Sequence, residues 1–171
     1  MNKLLVVLIS MMVAMVACQN TPQEQSIKEI FPKQLNLLQH GIPIAVQAPN
    51  DAKVTNRSDN FMQDLVIEGS DYYVQIYGKG ASSPSCSTLA KEALAEIKVS
   101  NETFQRVVLE DDCGFVYEVQ AIGDSTKCYN FSYFRVQGNK SFEMSTTTSR
   151  RKPFTQKEVE NMYKAVQKME E

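Results

Sequence analysis

The chain has 171 residues, 43% of them apolar and 22% charged, with a formal net charge of -2. That length and apolar share suit one domain able to bury roughly 70% of the surface its unfolded chain exposes, which excludes a disordered or fibrous chain. Eighteen basic against twenty acidic side chains leave no overall field to draw nucleic acid.

The N-terminus is a targeting pattern. Lys3 supplies a positive start, and Leu4 to Ala17 then runs fourteen residues without a charge. A bilayer core takes about 20 residues to cross, so the run is too short for an anchor and fits the apolar region of a secretory signal. Residues 1–17 are therefore expected to be a signal peptide. Cleavage after Ala17 would place Met15 where an ordinary site wants a small residue. The run Met15-Val16-Ala17-Cys18 instead resembles the lipobox of bacterial lipoproteins. That resemblance implies that Cys18 is lipidated through its sulfur and becomes the first mature residue. Two or three acyl chains such as palmitate, each contributing about 0.8 kcal/mol per buried CH2, hold a protein stably at a membrane. Gln19, in place of Asp, implies an outer-membrane destination in the bacterial cell envelope. The alternative is a soluble secreted protein whose Cys18 is discarded or survives as a thiol.

Residues 19–26 are polar and read as a flexible tether, so that 18–40 make a lipidated tether and short approach to the domain. Residues 27–31 are too short for a stable helix before Pro32. Pro32 could open a helical turn closing at Gly41, with Leu35 and Leu38 on one face, or part of it could be extended. From Ile42 the apolar period becomes two: Ile42, Ile44, Val46 and Ala48, ended by the turn Pro49-Asn50-Asp51. Extended stretches follow at 62–68 and 71–77, and the glycine and serine cluster 78–85 breaks the chain. Leu89, Ala90, Ala93, Leu94 and Ile97 then predict an amphipathic helix near 87–98, capped by Ser85 or Ser87. Strands at 104–109, 114–121, 127–136 and 141–147, separated by Asp111-Asp112, Gly123-Asp124 and Gly138-Asn139, suit an antiparallel meander. Thr155 and Glu158 form a capping box ahead of Val159, Met162, Tyr163, Val166 and Met169, the stripe of a C-terminal helix near 156–170.

The expected fold class is α+β, an antiparallel sheet covered by helices, in a single domain over 41–171. The beginning Gly41-Ile42-Pro43-Ile44 with Ala48-Pro49, and the strand Ser141-Phe142-Glu143-Met144-Ser145-Thr146 before the last helix, resemble the PsbP/DcrB-like α/β sandwich. The likeness lies in element order more than in identities. It implies a non-catalytic accessory or binding protein and carries over no functional residue.

Little in the chain points to catalysis. His40 is the single histidine and falls at the end of a short turn. Glu110-Asp111-Asp112 could attract a hard cation, but no EF-hand pattern surrounds it, and no zinc spacing, Walker loop or dinucleotide fingerprint occurs. No metal, cofactor or catalytic residue is therefore expected. Among the remaining cysteines, Cys113 and Cys128 are the candidate disulfide, because both sit beside strands that neighbour in the expected sheet. Cys86, at a helix start, is the candidate reactive thiol. Arg150, Arg151 and Lys152 are the candidate contact surface for anionic lipid or an acidic partner. Tyr129, Phe131 and Tyr133, with Phe115 and Tyr117, could form either an exposed ligand surface or core packing. Four Asn-x-Ser/Thr matches are incidental behind a bacterial signal.

The function expected is a membrane-anchored envelope lipoprotein acting as a non-catalytic binding or accessory module, with an envelope protein or small ligand as partner. A structural subunit of an envelope assembly and a small envelope enzyme or thiol protein using Cys86 are the alternatives.

Overall fold

The structure, a computed structural model, describes residues 25–146 and 153–167. The expected signal peptide, Cys18, the cluster Arg150, Arg151 and Lys152, and the expected helix residues 168–170 lie outside the described residues.

Strands β3 (Lys53–Asn56), β4 (Gln63–Gly69), β5 (Tyr72–Gly80), β6 (Phe104–Asp111), β7 (Gly114–Gln120), β8 (Lys127–Gln137) and β9 (Lys140–Ser145) form one seven-stranded antiparallel sheet. Their order is β3-β4-β5-β9-β8-β7-β6. The expected meander is present as β6 to β9, and β9 closes against β5 to join it to the earlier strands. Between β8 and β9 the chain reverses in two residues, Gly138 and Asn139, and Gly138 takes the φ of +61° that such a turn demands. A separate two-stranded sheet pairs β1 (Lys33–Asn36) with β2 (Ala45–Ala48).

Helix α2 (Cys86–Ser100) lies on one face of the large sheet. Helix α3 (Gln156–Gln167), the single turn α1 (Ile27–Ile30) and the β1–β2 pair lie on the other. Side chains alternate along each strand, so the two faces carry different sets. Ile76, Val116, Phe131, Phe142 and Met144 are fully buried towards α3. Phe115, Tyr117, Val119 and Phe134 pack with Leu89, Ala90 and Leu94 under α2.

Both helices start as their sequences predict. The Ser85 hydroxyl accepts from the Thr88 amide at 3.3 Å. The Thr155 box is complete: the Glu158 amide donates to Thr155 Oγ1 at 3.3 Å, and the Thr155 amide donates to Glu158 Oε2 at 2.7 Å. Val159, Met162, Tyr163 and Val166 are all inaccessible to solvent. Burying side chains of that size contributes roughly 1.5–3 kcal/mol each, which is what holds a twelve-residue helix that could not persist alone.

Several expectations are revised. Residues 27–40 are part of the packed body, with Ile27, Phe31 and Leu37 buried. The segment 27–31 does form a helical turn, because Ser26 and Glu29 make a second capping box and Ile27 is held in the core. Of the two readings left open for the segment from Pro32 to Gly41, residues 33–36 take the extended one and only Leu38–His40 is helical, closing at Gly41 with φ of +76°. Leu35 is partly buried against the core whereas Leu38 is 64% exposed, so the two do not share one buried face. Strand β5 continues through Gly78 and Gly80 instead of breaking, since Gly78 stands opposite Phe142, where a Cβ would come within 2.9 Å of that ring.

Candidate functional site

Helix α2 covers only part of its face of the sheet. The apolar stripe of α2 rests on β7 and β8, which leaves the outward positions of β5 and β9 facing a cleft beside the helix. The antiparallel register fixes which residues meet there: Tyr77 lies opposite Glu143, Glu143 opposite Phe134, and Lys79 opposite Ser141. Leu89, Glu92, Ala93 and Glu96 of α2 form the facing wall, and Met62 and Ser82 also line the cleft. Its volume is about 500 Å³.

Two polar groups in this cleft are unusual. Ser141 is 3% exposed, and its Oγ has no hydrogen-bond partner. A buried hydroxyl left unsatisfied costs about 1–3 kcal/mol. Glu143 is partly buried and accepts one hydrogen bond, from Ser132 Oγ at 3.2 Å. Burial pushes its carboxyl up, partly opposed by Ser132 and the Lys79 ammonium and reinforced by Glu96. Tyr77 beside it is also raised, by burial first and then by Asp64. A second hollow of about 390 Å³ lies on the other face, lined by Asn36, Leu38, Ala45, Arg135 and others, with no unpartnered buried atom among its lining.

The cysteine expectation is corrected. Cys113 is bonded to Cys86, with Cα atoms 5.0 Å apart, and Cys128 is a free thiol. The reason is register. Cys113 precedes Gly114, which pairs with Tyr133, whereas Cys128 pairs with Val119, five ladder steps away. Five steps are about 17 Å, far beyond the reach of a disulfide. Bonded to Cys113, Cys86 is not a free nucleophile either. The remaining thiol, Cys128, is pushed up by burial and by Asp124, which disfavours its thiolate.

The other residues singled out from sequence do not converge. His40 lies away from the cleft, its ring Nε2 3.4 Å from Gln39 Nε2. Asp111 accepts from Tyr163 Oη at 2.7 Å, from Gln167 Nε2 and, through Oδ1, from the Cys113 amide at 2.9 Å, so its carboxylate is occupied by structural bonds. The five aromatics are divided between faces. Phe131 and Tyr133 meet Tyr163 edge-on, while Phe115 and Tyr117 point to the α2 side, so they form core packing on both sides and no common surface. Among the described residues no three His, Cys, Asp or Glu side chains are placed to hold a metal ion, and no helix is long and apolar enough to cross a membrane.

Sequence reasoning missed the cleft itself. Its signal was the alternation in β5 and β9, where Tyr77 and Lys79, and Ser141 and Glu143, share the parity opposite to Ile76 and Gly78, and to Phe142 and Met144. What sequence lacks is the lateral offset of α2 that leaves those positions open. Comparison with known proteins finds nothing similar: no protein family, curated protein or solved structure matches the chain.

Proposed function

We propose that this chain is a lipid-anchored envelope protein that acts as a non-catalytic binding module, taking a small ligand in the cleft between α2 and the β5–β9 strands. The observation that carries the reading is the unpartnered Ser141 hydroxyl, buried in the wall of a cleft whose size falls in the range of small-molecule sites. The lipobox at Cys18 supports the anchor, with the outer membrane as the destination. The resemblance to the PsbP/DcrB-like class, whose members are accessory or binding proteins, agrees with a non-enzymatic role.

The test has two arms. Cells grown on labelled palmitate are expected to label the wild-type chain and not Cys18→Ala; an unlabelled wild type, beside labelled control lipoproteins, overturns the anchor. In a thermal-shift screen of small molecules, hits are expected to stabilise the wild-type chain and to lose that effect in Ala93→Trp, which fills the cleft from the helix side. A screen without hits, or hits indifferent to Ala93→Trp, overturns the binding site.

A further inference from the structure

The charge and shape of the cleft narrow the ligand class. Glu92 and Glu96 stand one turn apart on the exposed rim of α2, and Glu143 lies across from them on β9. Lys79 is the single cation among the lining residues. Three carboxylates against one ammonium make the cleft a local sink for positive charge, and among the described residues none of the three is held in an ion pair. The hydrogen bond from Ser132 uses one oxygen of Glu143. Ser141 Oγ, which can both donate and accept, has no partner in either role. Apart from Ser82, the rest of the lining is apolar or aromatic: Leu89, Ala93, Phe134, Met62 and the Tyr77 ring.

We infer that the cleft receives a small primary amine with an apolar body, its ammonium placed among Glu92, Glu96 and Glu143 and its body against Phe134, Leu89 and Ala93. An ammonium brings three N–H donors and no acceptor, which matches a set of carboxylates and an unsatisfied hydroxyl. The Tyr77 and Phe134 rings add the attraction of an aromatic face for a cation. An anionic ligand would meet rim carboxylates at close range, and a neutral one would leave Glu143 with only the more distant Lys79 ammonium to offset its desolvation, which is costly for a partly buried acid. The inference rests on the reading of the cleft as a ligand site and adds the chemistry of what enters.

Equilibrium dialysis of the full-length protein against 2-phenylethylamine, 2-phenylethanol and phenylacetate distinguishes the possibilities, since the three probes share one apolar body and differ in charge. The amine is expected to bind, the other two to bind at least tenfold more weakly, and Glu143→Gln to weaken the amine on the order of tenfold. Glu92→Gln with Glu96→Gln, on the exposed face of a helix where folding is not at stake, should weaken it too. Stronger binding of the alcohol or the acid, lost in Ala93→Trp, overturns the amine assignment and leaves the ligand site standing. Binding of the amine unchanged by all three glutamine substitutions overturns the assignment as well. No binding by any probe overturns the amine assignment, and the screen against Ala93→Trp then decides the site by itself.

Discussion

The hydroxyl of Tyr163 donates to Asp111 Oδ2 over 2.7 Å, and through it the closing helix is fastened to the end of β6. The same ring meets Phe131 and Tyr133 edge-on at centroid distances of 5.7 and 5.8 Å. Burial and the neighbouring carboxylate push the phenol far above the usual tyrosine range, so it stays a donor at every pH the fold survives. Tyr163→Phe keeps the rings and removes the donor, and it should cost about 1.5–3 kcal/mol, the worth of a hydrogen bond to a charged group. Tyr163→Ala also empties the core and should cost about 3–5 kcal/mol. Urea denaturation of the two variants measures both, and equal losses would show that the hydroxyl contributes nothing.

Gly114 sits where three parts of the molecule approach most closely. A Cβ there would lie 2.6 Å from the Ser132 carbonyl oxygen, 2.7 Å from Tyr163 Oη and 2.9 Å from Tyr133 Cα. Two of these atoms are backbone of the paired strand, which cannot swing aside. Gly114→Ala should therefore destabilise by about 1–3 kcal/mol or more, the usual cost of overpacking a core. Gly123→Ala is a poor control because its φ is +81°. Gly80→Ala, with nothing within 4 Å of the added atom, serves instead and should cost under about 1 kcal/mol. The urea midpoints of the two variants make the comparison.

The Cys86–Cys113 bond links the first residue of α2 to the turn between β6 and β7, across 27 residues of chain. Closing a loop of that length removes about 3–4 kcal/mol of unfolded-state entropy at 25 °C on the chain-entropy account. Cys86→Ser with Cys113→Ser should lower stability by up to that amount. Peptide mapping after alkylation should find Cys128 modified without reductant, slowly because its thiol is raised, and Cys86 and Cys113 modified only after reduction. Recovery of a Cys113–Cys128 peptide would contradict the register of β7 on β8.

How much of this was legible in the sequence depends on how local each feature is. The Thr155 box and the stripe from Val159 to Val166 are complete within one turn and one face, and both form as read. The four strands of the meander were placed to within two or three residues because each is bounded by its own turn chemistry. Strand β3 was missed because Lys53, Thr55 and Asn56 are polar and exposed, and an edge strand with one neighbour needs no apolar signature. The split of the aromatics was ambiguous for another reason. Phe115 and Phe131 each alternate correctly within their own strand, and only the pairing of Val116 with Phe131 assigns them to opposite faces. The disulfide and the cleft are wholly non-local: both depend on where α2 lies on the sheet, which no window of sequence contains.

Two glutamates should give the stability of the fold opposite responses to pH. Glu118 is 3% exposed and lies between Lys127, 3.0 Å away, and Arg106, 2.8 Å away. The hydrogen bond from Lys127, followed by that from Arg106, holds its carboxyl below the ordinary 4.5, against the effect of desolvation. A carboxyl lowered in the folded state supports the fold above its unfolded value, and that support is lost as pH falls through the folded one. Glu143 is the reverse: burial raises its carboxyl above 4.5, so the cost of ionising it appears as pH rises past 4.5 and is complete once the raised value is passed. Glu118→Gln should therefore be destabilising at pH 7, with the deficit shrinking towards pH 3. Glu143→Gln should be more stable than wild type at pH 7 and equal to it near pH 3. Midpoints of urea unfolding at pH 3, 5 and 7 for the two variants read this directly, and a Glu143→Gln that is no more stable than wild type at neutral pH would mean that the carboxylate is not strained by its surroundings. The gain in stability should accompany the loss of amine binding, as expected of a group kept partly buried and charged for a ligand rather than for the fold.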